Sequence, residues 1–164
     1  MKTRIAGLTL AAFIFVSDQI VKYWVLMTLD LRNRGQVEVI DIFNFTYVEN
    51  HGVSLGMLTA DSAMERWLLV AMTAAISIGV LVWLWREKNR QDVMALGLIL
   101  GGALGNIVDR ARFGYVVDYA DLHFGDIRPF LVFNVADAAI TIGVVILLMR
   151  ALLVREKPKE NADA

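Results

Sequence analysis

The sequence predicts a mainly α-helical integral membrane protein with four transmembrane helices, a small extracytoplasmic β-sheet and both termini in the cytoplasm. The first observation is composition: 57% of the 164 residues are hydrophobic, and the mean hydropathy is +0.56. Soluble domains contain roughly half apolar residues even when glycine is counted, so a lipid bilayer is the expected environment. The second observation is that the apolar residues form four long segments separated by polar links. The third is a stretch with the two-residue period of a β-strand between the first two segments.

Each apolar segment is long enough to cross a bilayer, which takes about 20 helical residues. The predicted spans are about 5–29, 67–85, 92–110 and 130–150. The first segment also resembles a secretory signal, because basic residues precede its apolar core. No small-x-small cleavage site follows, and apolar residues continue to Leu29, so we expect this span to be retained.

The extracytoplasmic β region is predicted at about 36–58 and 113–128. Apolar and polar residues alternate in the first part, and the phase slips at Ile42 and Phe43, which indicates a bulge or a bend. An irregular loop is expected at 52–56, and Asp61 or Ser62 is expected to cap the second span. We expect residues 1–155 to form a single domain and residues 156–164 to form a polar cytoplasmic tail.

The positively charged residues determine the predicted orientation. Nine Lys and Arg residues lie at the N-terminus, in the link at 86–90 and at the C-terminus, against six in the two longer links on the other side. Cytoplasmic loops carry the excess of Lys and Arg, so both termini are placed in the cytoplasm.

Composition also excludes several function classes. The chain has no cysteine, which rules out thiolate nucleophiles and zinc-thiolate sites. Its net charge is -1, and no basic stripe is interleaved with aromatic residues, so we expect no nucleic-acid partner. The two histidines, His51 and His123, are far apart and give no metal-ligand spacing, so no metal site is predicted.

The intramembrane charges, together with two asparagines, fall in the outer half of the membrane under this topology, which predicts a polar pocket at the outer membrane boundary. The residues are Asp18, Lys22, Asn106, Asp109, Arg110, Asn134 and Asp137. A charge in an apolar segment is costly to bury, so each of these residues needs a reason to be there.

Structural explanations exist for several of these residues. Asp18 and Lys22 have the i, i+4 spacing of a helical ion pair. Asn106, Asp109 and Arg110 share a helix face and form either a network that orders the next loop or a part of the reaction site. The face formed by Gly97, Gly101 and Gly105 is expected to allow close packing of another helix.

Asp118 and Asp137 are the candidates for chemistry. Asp118 is predicted in a polar loop after the third span, and Asp137 in the opening turns of the fourth, so the two side chains can meet. Two adjacent carboxylates share a proton, and such a pair can deprotonate a water molecule and hydrogen-bond a scissile carbonyl. The alternative is that each is an ordinary loop residue or helix cap.

Five short motifs resemble those of the bacterial lipoprotein signal peptidases, also called type II signal peptidases. Two lie near the N-terminus, namely SDQIVKYWV and ENHGVSLG. Three lie near the C-terminus, namely GGALGNIVDR, VVDYADLHF and FNVADAAITIG. The resemblance covers about residues 14–143, in the order and spacing of that family. One departure is GVSLG at 52–56, which puts substrate preference or loop packing in question rather than activity.

The resemblance implies an aspartyl endopeptidase of the bacterial inner membrane with its site near the periplasmic face. Its substrate is a diacylglyceryl-modified prolipoprotein in membrane lipid, cut before the lipidated cysteine. The resemblance also implies inhibition by globomycin-like cyclic peptides and no cofactor, and we expect a monomer. The catalytic aspartates of the family fall on Asp118 and Asp137. The supporting residues fall on Asp18, Lys22, Asn50, Gly52, Asn106, Asp109, Arg110 and Asn134.

Two other functions fit a small polytopic chain. A transporter or proton relay uses intramembrane carboxylates, but it calls for ionisable groups through the whole membrane depth. A non-catalytic scaffold binds a partner through its glycine face and sheet, and it tolerates Asp118→Asn and Asp137→Asn.

Overall fold

The structure, a computed structural model, describes residues 1–52, 63–125 and 127–153. The elements in chain order are α1 (Lys2–Met27), α2 (Leu31–Arg34), β1 (Gln36–Ile40), β2 (Phe43–Asn50), α3 (Ala63–Arg86), α4 (Arg90–Phe113), β3 (Val116–Leu122) and α5 (Val135–Leu153). The predicted cap at Asp61 or Ser62, most of the predicted loop at 52–56 and the predicted tail lie outside the described residues.

Four of these helices, α1, α3, α4 and α5, are long and apolar enough to cross a membrane. Together with the small sheet, they confirm the predicted fold class of a mainly helical, multi-pass membrane protein. Helix α4 is central, because 50% of its apolar stretch is buried against 17–22% in the other three helices. It packs against α1, α3 and α5. The side of the membrane on which the termini lie stays a prediction.

Glycines on α4 allow the close approach of α1. A Cβ atom on Gly97 would lie 2.5 Å from the carbonyl oxygen of Gly7, and one on Gly101 would lie 2.5 Å from that of Ala11. Both distances are far below van der Waals contact, so only glycine permits this spacing between the two backbones. The predicted packing role of the glycine face is confirmed at these two positions.

The three strands form an antiparallel sheet in the order β1-β2-β3. The phase slip at Ile42 and Phe43 is a turn between two strands, not a bulge within one strand, because β1 ends at Ile40 and β2 begins at Phe43. The alternation of apolar and polar residues restarts in the second strand after a hairpin turn. In the sequence, such a turn looks the same as a shift of phase within one strand. The register irregularities lie elsewhere, between Phe45 and Val48 for example.

The sheet packs against the C-terminal end of α1. Val25 and Leu31 are fully buried against Val117 and Tyr119 of β3. The ring of Trp24 meets that of Phe45 edge-on, with 5.7 Å between the centroids. This apolar contact fixes β3 over the helix ends. Asp118 therefore lies within a buried strand and not in the polar loop that was predicted.

Helix α5 begins at Val135, about five residues later than predicted. Phe133 is extended, since its N–H donates to the carbonyl of Ala120 at 3.0 Å and its carbonyl accepts from the N–H of Ala120 at 2.8 Å. Asn134 then caps the helix: its Oδ1 accepts from the N–H of Asp137 at 2.9 Å, and Asp137 Oδ2 accepts from the N–H of Asn134 at 3.3 Å. Asp137 thus has a capping role as well as being a candidate for chemistry.

Replacement of Gly101 by alanine should loosen the contact between α1 and α4. The added Cβ overpacks against the backbone at Ala11, and overpacking costs about 1–3 kcal/mol. We expect a lower melting temperature in detergent, measured by tryptophan fluorescence. Gly79→Ala is the matched control, because nothing lies within 4 Å of its added Cβ and alanine favours helix. Equal melting temperatures for the two variants would contradict the close contact.

Candidate active site

Lys22 is the centre of a buried ionic cluster between α1 and α4. Its Nζ lies 2.8 Å from Asp18 Oδ2 and 2.7 Å from Asp109 Oδ2, and it donates to Asn106 Oδ1 at 3.2 Å. The side chain of Lys22 is 4% exposed, and those of the two aspartates are at most 1% exposed. The ion pair predicted from the i, i+4 spacing therefore exists, and it has a second carboxylate 87 positions along the chain.

The same two carboxylates hold the backbone beside the candidate catalytic residues. Asp18 Oδ1 accepts from the N–H of Ala136 at 3.0 Å, and Asp109 Oδ2 accepts from the N–H of Val117 at 3.1 Å. Ala136 directly precedes Asp137, and Val117 directly precedes Asp118. One lysine thus links α1 and α4 to the two segments that carry the candidate pair.

Two members of this cluster were missed by sequence reasoning. Gln19 donates through Nε2 to Asp18 Oδ2 and Asp109 Oδ1, each at 3.2 Å. Gly105 makes room for the Asp18 carboxylate, because a Cβ there would lie 2.5 Å from Asp18 Oδ2. The signal for Gln19 was its position between Asp18 and Lys22. The glycine face predicted Gly105 as a packing position, but its contact with the Asp18 carboxylate depends on how α1 packs.

Side-chain amides hold both candidate carboxylates. Asp118 Oδ1 accepts from Asn134 Nδ2 at 2.6 Å, and Asp118 Oδ2 accepts from Asn50 Nδ2 at 3.0 Å. Asp137 Oδ1 accepts from Asn106 Nδ2 at 2.8 Å. Asn134 also donates to Asn106 Oδ1 at 3.3 Å, so a chain of amides connects the two carboxylates.

Asn50 is itself oriented by a tight turn. The N–H of Gly52 donates to Asn50 Oδ1 at 3.0 Å, which leaves the Asn50 Nδ2 group directed at Asp118. Gly52 has φ of +104°, a backbone conformation that side chains with a Cβ rarely adopt. Glycine at position 52 therefore permits the turn that orients Asn50 toward Asp118.

The environment of Asp118 favours its protonated form. Burial raises the pKa of the Asp118 carboxyl to about 7, and the negative charge of Asp137 acts in the same direction. The hydrogen bonds from Asn50 and Asn134 oppose this shift. A proton is therefore retained on Asp118 well above the pH at which an exposed aspartic acid loses it, as expected for carboxylates that share one proton.

Arg110 supplies the second cation of the site. It is attracted to the carboxylates of Asp137, Asp118 and Asp109. Its Nε atom is buried and has no hydrogen-bond partner among the described residues. The side chain lines a cavity of about 170 Å³ between α3, α4 and α5, together with Asn106. The described residues therefore leave this donor unpaired beside the cavity.

Comparisons with known proteins agree with this geometry. The family model described as signal peptidase (SPase) II matches residues 10–153. The chain belongs to the signal peptidase II family. The lipoprotein signal peptidase of Rhizorhabdus wittichii is 58% identical over 160 residues, covering 96% of this chain and 93% of that protein. The lipoprotein signal peptidase of Sphingopyxis alaskensis is 55% identical over 158 residues, covering 96% and 91%.

A solved structure shares the fold of this signal peptidase. It is a bacterial membrane enzyme determined by the in meso method at 1.9 Å resolution, with a TM-score of 0.76 and 31% identity. The match covers 92% of this chain and 94% of that one. The chain is therefore a peptidase, so the expectation of a hydrolase is confirmed over the transporter and scaffold alternatives. The roles of individual site residues stay predictions.

The structure brings the ten predicted site residues into one connected region. Asp18, Lys22, Asn106 and Asp109 form the ionic cluster, Asn50, Gly52 and Asn134 hold Asp118, and Arg110 lies near both candidate carboxylates. Within the described part of the chain, no group of three or more His, Cys, Asp or Glu side chains could hold a metal ion.

Replacement of Lys22 by methionine should strongly destabilise the signal peptidase. Methionine keeps much of the length of the side chain but leaves Asp18 and Asp109 as unpaired buried carboxylates, which typically costs about 3–5 kcal/mol. Arg32→Met is the control, because Arg32 pairs with Glu49 with its side chain 64% exposed, and exposed pairs contribute about 0–1 kcal/mol. Thermal melting in detergent measures both. Similar losses for the two variants would contradict the central role of Lys22.

Proposed function

We propose that this peptidase removes the signal peptide from diacylglyceryl-modified prolipoproteins by cutting before the lipidated cysteine. Asp118 and Asp137 activate the attacking water in this proposal. The observation that carries it is one buried aspartic acid with a pKa of about 7, joined through Asn134 and Asn106 to a second aspartate at a helix N-terminus. The names of the relatives, lipoprotein signal peptidases, support this substrate class.

The reaction needs one ionised and one protonated carboxyl group. Asp137 lies in the first turn of α5, where the positive end of the helix dipole and the amide of Asn106 favour its charge. Asp137 therefore takes a proton from water, and the resulting hydroxide attacks the scissile carbonyl carbon. Asp118 donates its proton to the carbonyl oxygen, and a tetrahedral intermediate forms. No covalent bond to the enzyme is made.

The second half of the reaction returns each proton. Asp137 gives its proton to the leaving amine of the lipidated cysteine as the carbon–nitrogen bond breaks. The hydroxyl of the intermediate returns its proton to Asp118 as the carboxyl group of the signal peptide forms. The two aspartates end in their starting protonation states, so neither metal nor cofactor is required.

The supporting residues position this pair. Asn50 and Asn134 fix the Asp118 carboxyl, and Asn106 fixes that of Asp137. Lys22, through Asp18 and Asp109, sets the backbone beside each aspartate. We assign the Arg110 guanidinium to the substrate backbone, because it lies near both Asp118 and Asp137.

We further propose that the enzyme lies in the bacterial inner membrane with both termini cytoplasmic and the site near the periplasmic face. The excess of Lys and Arg at the opposite end supports this orientation. Val39 of β1 is half exposed, and the chain has no cysteine. A single cysteine at position 39 should therefore react with a membrane-impermeant maleimide in intact spheroplasts. Labelling only after lysis would overturn the orientation.

We also propose that the enzyme acts as a monomer and that globomycin-like cyclic peptides inhibit it. The ionic cluster, the amides and both aspartates all come from one chain, so a single copy holds the whole candidate site. Size-exclusion chromatography with light scattering tests the monomer. Cleavage assays with globomycin test the inhibitor, and uninhibited cleavage at saturating concentration would contradict it.

Asp118→Asn and Asp137→Asn should each abolish most of the cleavage activity. Each replacement nearly keeps the shape of the side chain but removes its acid–base capacity, which is typically worth about 10²–10⁴-fold in rate. The measurement is cleavage of a diacylglyceryl prolipoprotein by purified protein in detergent. Asp41→Asn, in the exposed turn between β1 and β2, is the matched control and should keep its activity. A folded Asp118 or Asp137 variant that cuts at the control rate would refute the mechanism.

Activity should fall as the pH rises through about 7. The pKa of Asp118 is raised to about 7, so above this pH the pair loses the proton that the carbonyl oxygen must receive. The profile of kcat/KM against pH reports the groups of the free enzyme. We expect its alkaline limb near pH 7.

Replacement of Asn50 by alanine tests the assignment of this limb to Asp118. The hydrogen bond from Asn50 lowers the Asp118 pKa, so removing it should move the alkaline limb to higher pH. A limb that stays in place in this variant would assign the titration to another group.

A further inference from the structure

An apolar groove opens directly beside Asp137 on the face of α5 that is turned away from α4. Helix α4 packs on the opposite face of α5, where a Cβ on Gly143 would meet the backbone of Ala95. The groove has a volume of about 320 Å³. Its main lining residues are Phe130, Leu131, Phe133, Asp137, Thr141 and Ile142. Asp137 is the one ionisable side chain among the lining residues that the structure describes.

The outer wall of this groove consists of apolar side chains without cover. Leu131 is 85% exposed and Phe130 is 60% exposed, although both precede α5 and lie outside the four candidate spans. On the other wall, Ile142 is 53% exposed. Ile142 follows Asp137 by five residues, so the groove extends about 7 Å along α5 into the membrane at 1.5 Å per residue.

The exposed wall is held in place by contacts that the proposed reaction does not use. The backbone of Phe133 pairs with that of Ala120 through two hydrogen bonds. Asp121, with a side chain only 1% exposed, lies with Oδ1 3.3 Å from Arg128 Nε, and its Oδ2 accepts from Thr46 at 3.0 Å. The backbone pairing of Phe133 with Ala120 therefore fastens the 127–133 segment to β3. The ion pair between Asp121 and Arg128, whose side chain is 61% exposed, adds a weaker contact.

We propose that this groove binds one acyl chain of the diacylglyceryl group of the substrate. The inference rests on the proposed function, in which the lipidated cysteine directly follows the scissile bond. When that bond faces Asp137, the glycerol thioether lies at the mouth of the groove, and an acyl chain can pass down α5 into lipid. The signal peptide leaves the scissile bond in the other direction. An apolar groove that begins at a catalytic carboxylate and ends in the bilayer fits such a chain.

The groove orients the acyl chain of the substrate and does not stabilise it by removing it from water. An acyl chain in lipid is already in apolar surroundings, so its burial in the groove gains little from the hydrophobic effect. A fixed chain does restrict the position of the adjacent peptide bond, and small misplacements of a reacting group can cost about 10²-fold in rate. Recognition of the acyl chain should therefore appear in kcat/KM for the lipidated substrate.

Ile142→Trp tests this inference by filling the groove. Two prolipoprotein substrates are compared, one with long acyl chains and one with chains too short to pass Ile142. We expect a loss of about tenfold in kcat/KM for the long-chain substrate and less than about twofold for the short-chain substrate. Val144→Trp is the matched control, because Val144 is also an exposed apolar residue of α5 but does not line the groove. It should leave both rates close to those of the unaltered enzyme.

Arg128→Gln provides a second, independent variant. It removes the charge that pairs with Asp121 and leaves α5 unchanged, so it should cause a selective loss on the long-chain substrate that is smaller than that of Ile142→Trp. Arg128→Lys, which keeps the charge, should restore part of it.

Equal losses of Ile142→Trp on both substrates, or no loss on either, would overturn the acyl-chain assignment. A loss that depends on the side chain before the scissile bond would assign the groove to the signal peptide and would overturn it as well. Failure of the unaltered enzyme to cut either substrate would instead refute the proposed function, so the two failures are distinguishable.

Discussion

Lys22 and the two carboxylates that bind it determine the relative positions of the other parts of the site. Burying an ion costs several kcal/mol, and a buried pair offsets this only if its remaining hydrogen-bonding capacity is satisfied. Here Asp18 and Asp109 complete their contacts with the backbone N–H groups of Ala136 and Val117. Because each N–H group adjoins one of the candidate catalytic aspartates, the same interactions that make the buried charges tolerable also hold Asp118 and Asp137 near each other.

The two aspartates are held by different kinds of secondary structure. Asp118 lies in the middle of β3, where pairing with β2 and an apolar cluster under the sheet restrict its movement. Asp137 lies in the first turn of α5, where it also caps the helix. A strand gives Asp118 a buried position that retains a proton, whereas Asp137 lies at the positive end of a helix dipole. The difference in protonation that the proposed reaction requires thus follows from the fold.

Features determined by local spacing were predictable from the sequence. The i, i+4 pair of Asp18 and Lys22 and the glycine face of α4 needed only the helical period. The placement of charges in apolar segments indicated Asp118 and Asp137 as candidates, and the resemblance agreed with them. Features that depend on distant parts of the chain were not predictable. Asp109 as the second partner of Lys22 required the packing of α1 on α4. The late start of α5 required Phe133 to pair with Ala120, which apolar periodicity does not show.

The charges around Asp118 act together with burial to retain a proton on it. Four carboxylates and two cations make up the cluster: Asp18, Asp109, Asp118 and Asp137 with Lys22 and Arg110. Carboxylates therefore outnumber cations in this cluster. Ionising Asp118 as well adds a buried negative charge beside Asp137, with no further cation among the described residues to balance it. The residues that build the buried framework therefore also favour a proton on Asp118, which the proposed two-aspartate hydrolysis needs.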